Sequence, residues 1–435
     1  MNRAYSFRRI IFETTSALHA GSGESDPVQD MPIQFDANGL PSINATSIAG
    51  VLCHLGENTL GDLFGNQQQG SRVSFSDAAI LDETGKAVVG LVNADHKTPS
   101  DYLKRVKRVW LRDHCAINAL GAAKRRGKFD RTVLLAGIRF VFEFCVNASS
   151  CKDAKAEADH LAALCQRVDF QLGGGTRNGF GRIKVLRVTG REYDLNDAES
   201  REAYLRRSSS LAEDPGEPKL PLQPDKESKI RTIILKPEDF WLFSDGTGQG
   251  DLDIRPKVEQ RVKWGENGPE FFDAYLLPAT SIKGALRHRT AYHYNRLCGR
   301  FADKITDEEW NQPNAAVLAL FGSAKGDGSP DNPGSVGRVL ISDIYCEDSG
   351  GKVFNHVSID RFTGGALDGA LFTELVGFGG TLRLEVIVEP AEQPDENEEK
   401  YMQAFEEALC DLQKGWLPLG GGTMRGLGAM CAVKQ

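Results

Sequence analysis

Three aspartates crowd the stretch Asp26-Pro27-Val28-Gln29-Asp30-Met31-Pro32-Ile33-Gln34-Phe35-Asp36. A carboxylate in such an irregular loop can ligate a divalent cation. It can also take the proton from a ribose 2′-hydroxyl, so that the oxygen attacks its own neighbouring phosphate. Asp30, with Asp26 beside it, is the catalytic candidate, and Asp30 is the candidate ligand for a divalent metal, Mg2+ or Mn2+. The plain alternative is a turn aspartate two residues ahead of a proline. His19, His114 and His356 add little by themselves, because an isolated histidine is more often a structural hydrogen-bonding residue. No Ser-His-Asp or Cys-His arrangement is legible from spacing.

A second kind of chemistry is suggested by a basic strip. Residues 101–140 hold 11 Lys or Arg against 3 Asp, a local balance of +8 in a chain whose formal net charge is -8. Lys104, Arg105, Lys107, Arg108 and Arg112 flank Trp110, and Lys124, Arg125 and Arg126 follow. Such a strip can neutralise phosphates while Trp110 or Phe129 wedges against a base. A solvated charged hairpin is the competing reading.

Two glycine loops form the third feature. Leu172-Gly173-Gly174-Gly175-Thr176-Arg177-Asn178-Gly179-Phe180-Gly181 returns as Leu419-Gly420-Gly421-Gly422-Thr423-Met424-Arg425-Gly426-Leu427-Gly428. Neither contains the Lys-Ser or Lys-Thr of a phosphate-gripping P-loop, and both lead into a strand rather than the helix of a dinucleotide fingerprint. They read either as tight helix-to-strand turns or as loops whose amides, at Gly174, Gly175, Gly421 and Gly422, join Arg177, Asn178 and Arg425 in touching a sugar-phosphate chain.

The glycine loops belong to a longer repeat. Ala45-Thr46-Ser47-Ile48-Ala49-Gly50 returns as Ala279-Thr280-Ser281-Ile282-Lys283-Gly284, Leu63-Phe64-Gly65 as Leu320-Phe321-Gly322, Ser76-Asp77 as Ser342-Asp343, and His114-Cys115-Ala116-Ile117-Asn118 as His356-Val357-Ser358-Ile359-Asp360. Markers in one order predict a duplicated module. Each copy reads strand, helix, strand, loop-rich middle, strand, helix, glycine loop, strand: an α+β, ferredoxin-like βαββαβ order with one sheet face left free for ligand. Asn44, Thr46 or Ser47 is expected to cap the first helix. The modules are expected at 1–190 and 229–435, with a polar linker at 191–228.

Spacing locates the insertions. From Asp77 to His114 there are 37 residues but from Asp343 to His356 only 13, which predicts an insertion of about 24 residues in the first module, at about 80–113. The second module is longer by 23 between its helix start and Leu-Phe-Gly, consistent with added helix. Counting places Trp264, or else Asp251 or Asp253, opposite Asp30, so a second catalytic site is doubtful.

A length of 435 residues suits two domains. The mildly acidic total argues against a DNA binder relying on bulk positive charge, though a local basic groove remains compatible with it. Nine cysteines without a C-x-x-C pair fit reduced, mostly buried thiols. No apolar run suits a membrane span and no signal-peptide core opens the chain, so the expectation is a cytoplasmic protein without membrane contact.

Leu18-His19-Ala20-Gly21-Ser22-Gly23, Asp30-Met31-Pro32-Ile33-Gln34, Gly39-Leu40-Pro41, Ala45 to Gly50, His356 to Arg361 with Gly364, and both glycine loops resemble the RAMP backbone subunits of type III CRISPR effector complexes. The resemblance spans nearly the whole chain outside the linker, taken twice. It implies a tandem fusion, as in subtype III-D-like systems, that holds a CRISPR guide RNA beside single-stranded target RNA and other effector subunits, with thumbs pushed between guide and target. It implies that an aspartate in the position of Asp30 cuts the target with a metal, and that His19, Ser47, Ser281, Lys283 and Arg287 join the RNA contacts. A purely architectural subunit, a repeat-processing endoribonuclease and a glycine-loop nucleotide-binding enzyme are the alternatives.

Overall fold

The computed structural model describes residues 3–23, 32–56, 59–91, 100–117, 123–214, 216–222, 230–244, 246–306, 309, 312–323 and 333–433, with the backbone alone at 61 and 124–126. The first module runs β1 (Ala4–Thr14), α1 (Ala45–Leu55), β2 (Val73–Phe75), β3 (Ala79–Ile80), α2 (Asp101–Val106), β4 (Trp110–Ile117), β5 (Ala123–Val133), β6 (Arg139–Ala148), α3 (Cys151–Leu164) and β7 (Ile183–Asp194). In β1 the even positions Ile10 and Phe12 are fully buried under the helices, while Tyr5, Phe7 and Ile11 face the other way. Phe140, Phe142 and Phe144 of β6, Ile48 and Leu52 of α1, and Leu161 of α3 complete that core.

The chain continues through α4 (Ala198–Arg206) and β8 (Lys219–Leu220) into the second module. This comprises β9 (Arg231–Pro237), β10 (Phe240–Trp241), β11 (Val258–Gly265), β12 (Gly268–Leu277), α5 (Ala279–Leu297), α6 (Ala315–Phe321), β13 (Gly322–Ser323), β14 (Ser335–Val336), β15 (Val339–Ile341), β16 (Ile344–Cys346), β17 (Gly350–Ile359), β18 (Ala366–Phe378), β19 (Leu382–Val388), α7 (Glu398–Gln413) and β20 (Met430–Ala432). The strand order β2-β6-β1-β7 of one module reappears as β15-β19-β9-β20 in the other, all pairs antiparallel. That second-third-first-fourth order is the ferredoxin-like topology, present twice. The added length of the second module is helical as expected: α5 has 19 residues against 11 in α1, and α6 follows.

The repeated Ser-Asp has a mechanical role. Asp77 Oδ1 accepts the backbone N–H of Ala45 at 2.7 Å, and Asp343 Oδ1 accepts that of Ala279 at 2.8 Å. A strand aspartate therefore caps each helix from across the module, satisfying an N-terminal amide with a negative charge. Asn44 occupies the cap position but makes no side-chain cap bond, which corrects the expected local cap.

Residues 195–222 are folded, contrary to the expectation of a linker. Tyr204 of α4 stacks on Tyr5 with ring centroids 5.2 Å apart, and β8 pairs with β7. Arg207 lies 4.0 Å above the Phe7 ring and is ion-paired to Glu143 and, at 2.8 Å, to Glu217. Leu211 packs, with Ile11 and Ala79, against the cluster of Leu81, Ala87 and Val141. Arg207 pairs with Glu217 within the segment and with Glu143 of β6, so that the segment covers the sheet face expected to be free. The thumb region also differs: 80–113 holds the end of β3, a turn and α2, whereas the hairpin itself, β4–β5, begins only at Trp110 and runs to Val133. The second module's opening strand is broken into β9 and β10. The cysteines carry no disulfide, and only Cys165 and Cys346 are buried, which corrects the expectation of mostly buried thiols. No helix among the described residues is long and apolar enough to cross a membrane.

The modules are clamped together. The β11–β12 hairpin lies on the first module, where Val262 donates its N–H to Ala136 O at 2.9 Å and Trp264 Nε1 donates to Gly137 O at 2.8 Å. Gly137 is required there, since at φ +93° a Cβ would sit 1.9 Å from Val262 O. Deeper in, Arg112 of β4 donates to Glu259 at 2.8 Å and to Asp343 at 2.6 Å, and Tyr345 donates to Glu259 at 2.7 Å. Burial raises the Asp343 pKa, whereas at Glu259 the Arg112 guanidinium outweighs burial and holds it low. Replacing Arg112 by Ala strands two buried carboxylates and is expected to cost about 3–5 kcal/mol. Chemical denaturation of the full chain measures it; a loss under about 1 kcal/mol would show that the cluster does not hold the modules.

Candidate nucleic-acid interface

Each glycine loop closes onto the segment that leaves its module's first strand. Leu172 N–H donates to Gly181 O at 2.9 Å, Gly174 N–H to His19 O at 2.7 Å and Gly181 N–H to Ala17 O at 2.8 Å. The second loop repeats these bonds from Leu419 to Gly428 O, Gly421 to Leu242 O and Gly428 to Phe240 O, at 2.9, 2.7 and 2.8 Å. A Cβ at Gly181 or Gly428 would approach the opposing carbonyl to 2.1 or 2.0 Å, so these glycines are steric requirements of the turn. Several of the amides expected to grip phosphate are thus already bonded within the protein.

The hairpins supply the loops' neighbours in matching register. His114 lies opposite Phe129 and stacks on it at 5.0 Å; His356 lies opposite Phe372 and stacks on it at 4.7 Å. Two positions after each phenylalanine the modules diverge. The first has Arg131, which lies against Gly175 and 5.3 Å from the Phe180 ring. The second has Glu374, almost fully buried, accepting from His356 Nε2 at 2.8 Å and Arg425 at 2.9 Å. The residue whose carbonyl anchors the loop diverges likewise, His19 in the first module and Leu242 in the second.

The first module therefore keeps, at Arg131, a positive charge that no described carboxylate pairs with. Among the described residues Arg131 makes no ion pair, and its Nε and the Nε2 of His114 are buried without a hydrogen-bond partner. Burial, then Arg131 and Arg112, push His114 down to about 4, so it is neutral at pH 7. His19 is lowered in the same direction, chiefly by burial; its Nδ1 lies 2.8 Å from Thr132 O. An anion entering between hairpin and loop would find donors whose positive potential is unspent.

Comparison with known proteins bears on this geometry. A family model described as the RAMP superfamily matches residues 11–184 and again 268–431, one match on each module. The chain belongs to the RAMP superfamily. No match to this chain was found among curated protein sequences. A solved structure titled "Cryo-EM structure of the Type III-B Cmr-beta bound to cognate target RNA" is similar at 17% identity and a TM-score of 0.30, over 43% of this chain and 60% of that one.

Within the two RAMP modules the expected site residues separate into groups. Asp26 and Asp30 lie outside the described residues; the segment's flanks meet where Gly21 bridges Ile33 and Gln34 N–H donates to Ala20 O at 2.7 Å, beside His19. Asp36 is committed to a turn, accepting from the backbone of Asn38 and Leu40. The side chains of Lys124, Arg125 and Arg126 are likewise outside the description. Arg112 is not at the interface, being the buried clamp. Trp110 is partly buried and packs against the edge of the first module's core. Arg177 pairs with Glu389, and Lys283 donates to Arg177 O at 2.8 Å, so the first glycine loop is covered by the second module rather than open. Asn178 closes that turn, its N–H donating to Gly175 O at 2.8 Å. Arg287 is half-buried on α5, Arg425 is held by Glu374, and Ser47 and Ser281 are exposed in their helices' first turns. Lys104 pairs with Asp101, Arg105 covers the Phe271 ring at 5.0 Å, Lys107 is half-buried near Gly39, and Arg108 is exposed.

Arg131 and the pocketed side of His114 were not singled out by sequence pattern. The available signal was the register of the two hairpins, which sets Arg131 opposite Glu374. The pH consequence is definite: a histidine held near 4 stays neutral while the unfolded chain protonates at about 6.5, so His114 destabilises the fold progressively as pH falls from about 6.5 towards 4. An NMR titration is expected to place the His114 midpoint near 4 in the free chain and higher in Arg131→Ala, where one repelling charge is removed. An unchanged midpoint in the variant would mean that Arg131 does not act on His114.

Proposed function

We propose that this chain is an RNA-binding backbone subunit of a type III CRISPR effector complex, and that its first module also cleaves the target RNA. The observation that carries the reading is the uncompensated pair of Arg131 and His114 between hairpin and glycine loop, in a chain whose two halves both match the RAMP family. Guide RNA and single-stranded target are the proposed ligands, with other effector subunits as neighbours. Sequence selection would come from base pairing, the protein reading backbone and shape.

Cleavage is assigned to Asp30, with Asp26 assisting. Among the described residues no group of three or more His, Cys, Asp or Glu could hold a metal ion. Asp26 and Asp30 lie outside those residues; such carboxylates would hold Mg2+ or Mn2+ while water and phosphate oxygens complete the shell. Such an ion would neutralise charge on the scissile phosphate and ease deprotonation of the attacking hydroxyl. Arg131 and His114 would bind the RNA backbone nearby, and His19 would hold the loop's anchor carbonyl towards Gly174.

The second module is read as binding without cutting. Its counterpart of the Asp30 segment is the β11–β12 hairpin, where Trp264 is packed under Arg139 at 4.1 Å from its ring, and Asp253 accepts Thr373 N–H at 2.7 Å. Leu242 and Glu374 replace His19 and Arg131. A purely architectural role for the whole chain is the remaining reading.

Asp30→Ala in the assembled complex is expected to abolish one set of cuts, by about 100-fold or more, while leaving co-purified RNA unchanged. EDTA is expected to act the same way on the wild type. Unaltered cutting at every position in both experiments would leave the architectural reading standing.

A further inference from the structure

The contact between the modules is built from a matched set. The first module offers three arginines, Arg112 from its hairpin, Arg177 from its glycine loop and Arg182 just beyond it. The second receives them on Asp343 and Glu259, on Glu389 and on Glu385. Asp343, Tyr345 and Glu385 are carried by the strand edge and open sheet face around β15, β16 and β19.

Because the modules are copies, each of these positions has a counterpart. The register that pairs Val73 with Val146 and Val339 with Val388 makes Asp77, Ala79 and Glu143 the first module's equivalents of Asp343, Tyr345 and Glu385. Asp77 is exposed, but the other two are occupied by the chain's own residues 195–222. Leu211 and Ala79 both pack against the cluster of Leu81, Ala87 and Val141, and Arg207 pairs with Glu143 as Arg182 pairs with Glu385. The arginine-to-glutamate contact that joins the modules is thus imitated within the first one.

The opposite end has changed as well. The second module's equivalents of Arg112, Arg177 and Arg182 are Phe354, Met424 and Ala429. Met424 is fully exposed, while Phe354 packs edge-on against Phe240, 5.0 Å between ring centroids, and against the cluster of Leu242, Val376 and Leu427. A face of carboxylates such as that of Asp343, Glu385 and Glu389 would meet no arginine at those three positions, Arg425 of the same loop being already paired with Glu374, and burying it would be costly.

We propose that residues 195–222 are a built-in cap that closes the first module to a further module of this fold, so that the chain extends at one end only. That end is the second glycine loop with Met424, and its occupant is a different RAMP-fold module whose open sheet face is apolar where this chain's second module has Asp343, Glu385 and Glu389. A second copy of this chain does not fit, since its face is capped and the arginines that would seek it are gone. A heterologous contact that cannot repeat ends in a single junction rather than a filament. The inference rests on the fold and not on the RNA reading, and its first test uses the chain free of RNA.

Sedimentation of the isolated full-length chain is expected to give a monomer at every concentration. Arg207→Ala and Leu211→Ala to loosen the cap, combined with Met424→Arg and Ala429→Arg to restore the arginines, are expected to give concentration-dependent self-association. A self-associating wild type, or a folded quadruple variant that stays monomeric, overturns the cap. A photo-crosslinking residue at position 424 in the native complex is expected to label a different chain. An adduct with a second copy, or with no protein at all, overturns the docking assignment.

Discussion

A guanidinium taken out of water must be paired, and the pairing of Arg112 fixes most of what surrounds it. Its partners come from separate elements of the other module, Glu259 from β11 and Asp343 from the turn after β15. Asp343 is simultaneously the cap of α5 through Ala279. One side chain thereby ties a hairpin of the first module to a helix and a sheet edge of the second. The same constraint removes Arg112 from the solvent-facing basic strip, so that a feature suggesting ligand binding serves instead to join the halves.

Duplication explains the frame, and divergence explains the charge. The two glycine loops keep the same hydrogen bonds and the same forbidden Cβ positions, because backbone sterics leave no alternative to glycine in so close an approach. Side chains around that frame are under no such restriction. Arg131 and His19 in one module face Glu374 and Leu242 in the other, and the buried Glu374 is satisfied only because His356 and Arg425 reach it. A carboxylate in that place spends the positive potential which the first module keeps.

The surfaces between modules follow the same logic. Arg182 on Glu385 and Arg207 on Glu143 are the same contact made twice, once between modules and once by the chain upon itself. Burying such a pair excludes water from the sheet face and leaves no room for another partner, which is why a segment rich in proline and charge is folded rather than loose.

The sequence by itself determined the duplication and the ferredoxin-like order, because strand and helix periods and repeated glycines are local properties of the chain. It also marked the histidines of both hairpins and the added helix of the second module. What it could not settle is which charges meet. The roles of Asp77 and Asp343 as distant caps, the burial of Arg112, the covering of the first glycine loop by Lys283 and Glu389, and the anchoring of residues 195–222 all join residues far apart in sequence. Whether an arginine faces solvent, a phosphate or a carboxylate depends on what the tertiary fold brings within a few ångströms of it, and only the packed structure decides that.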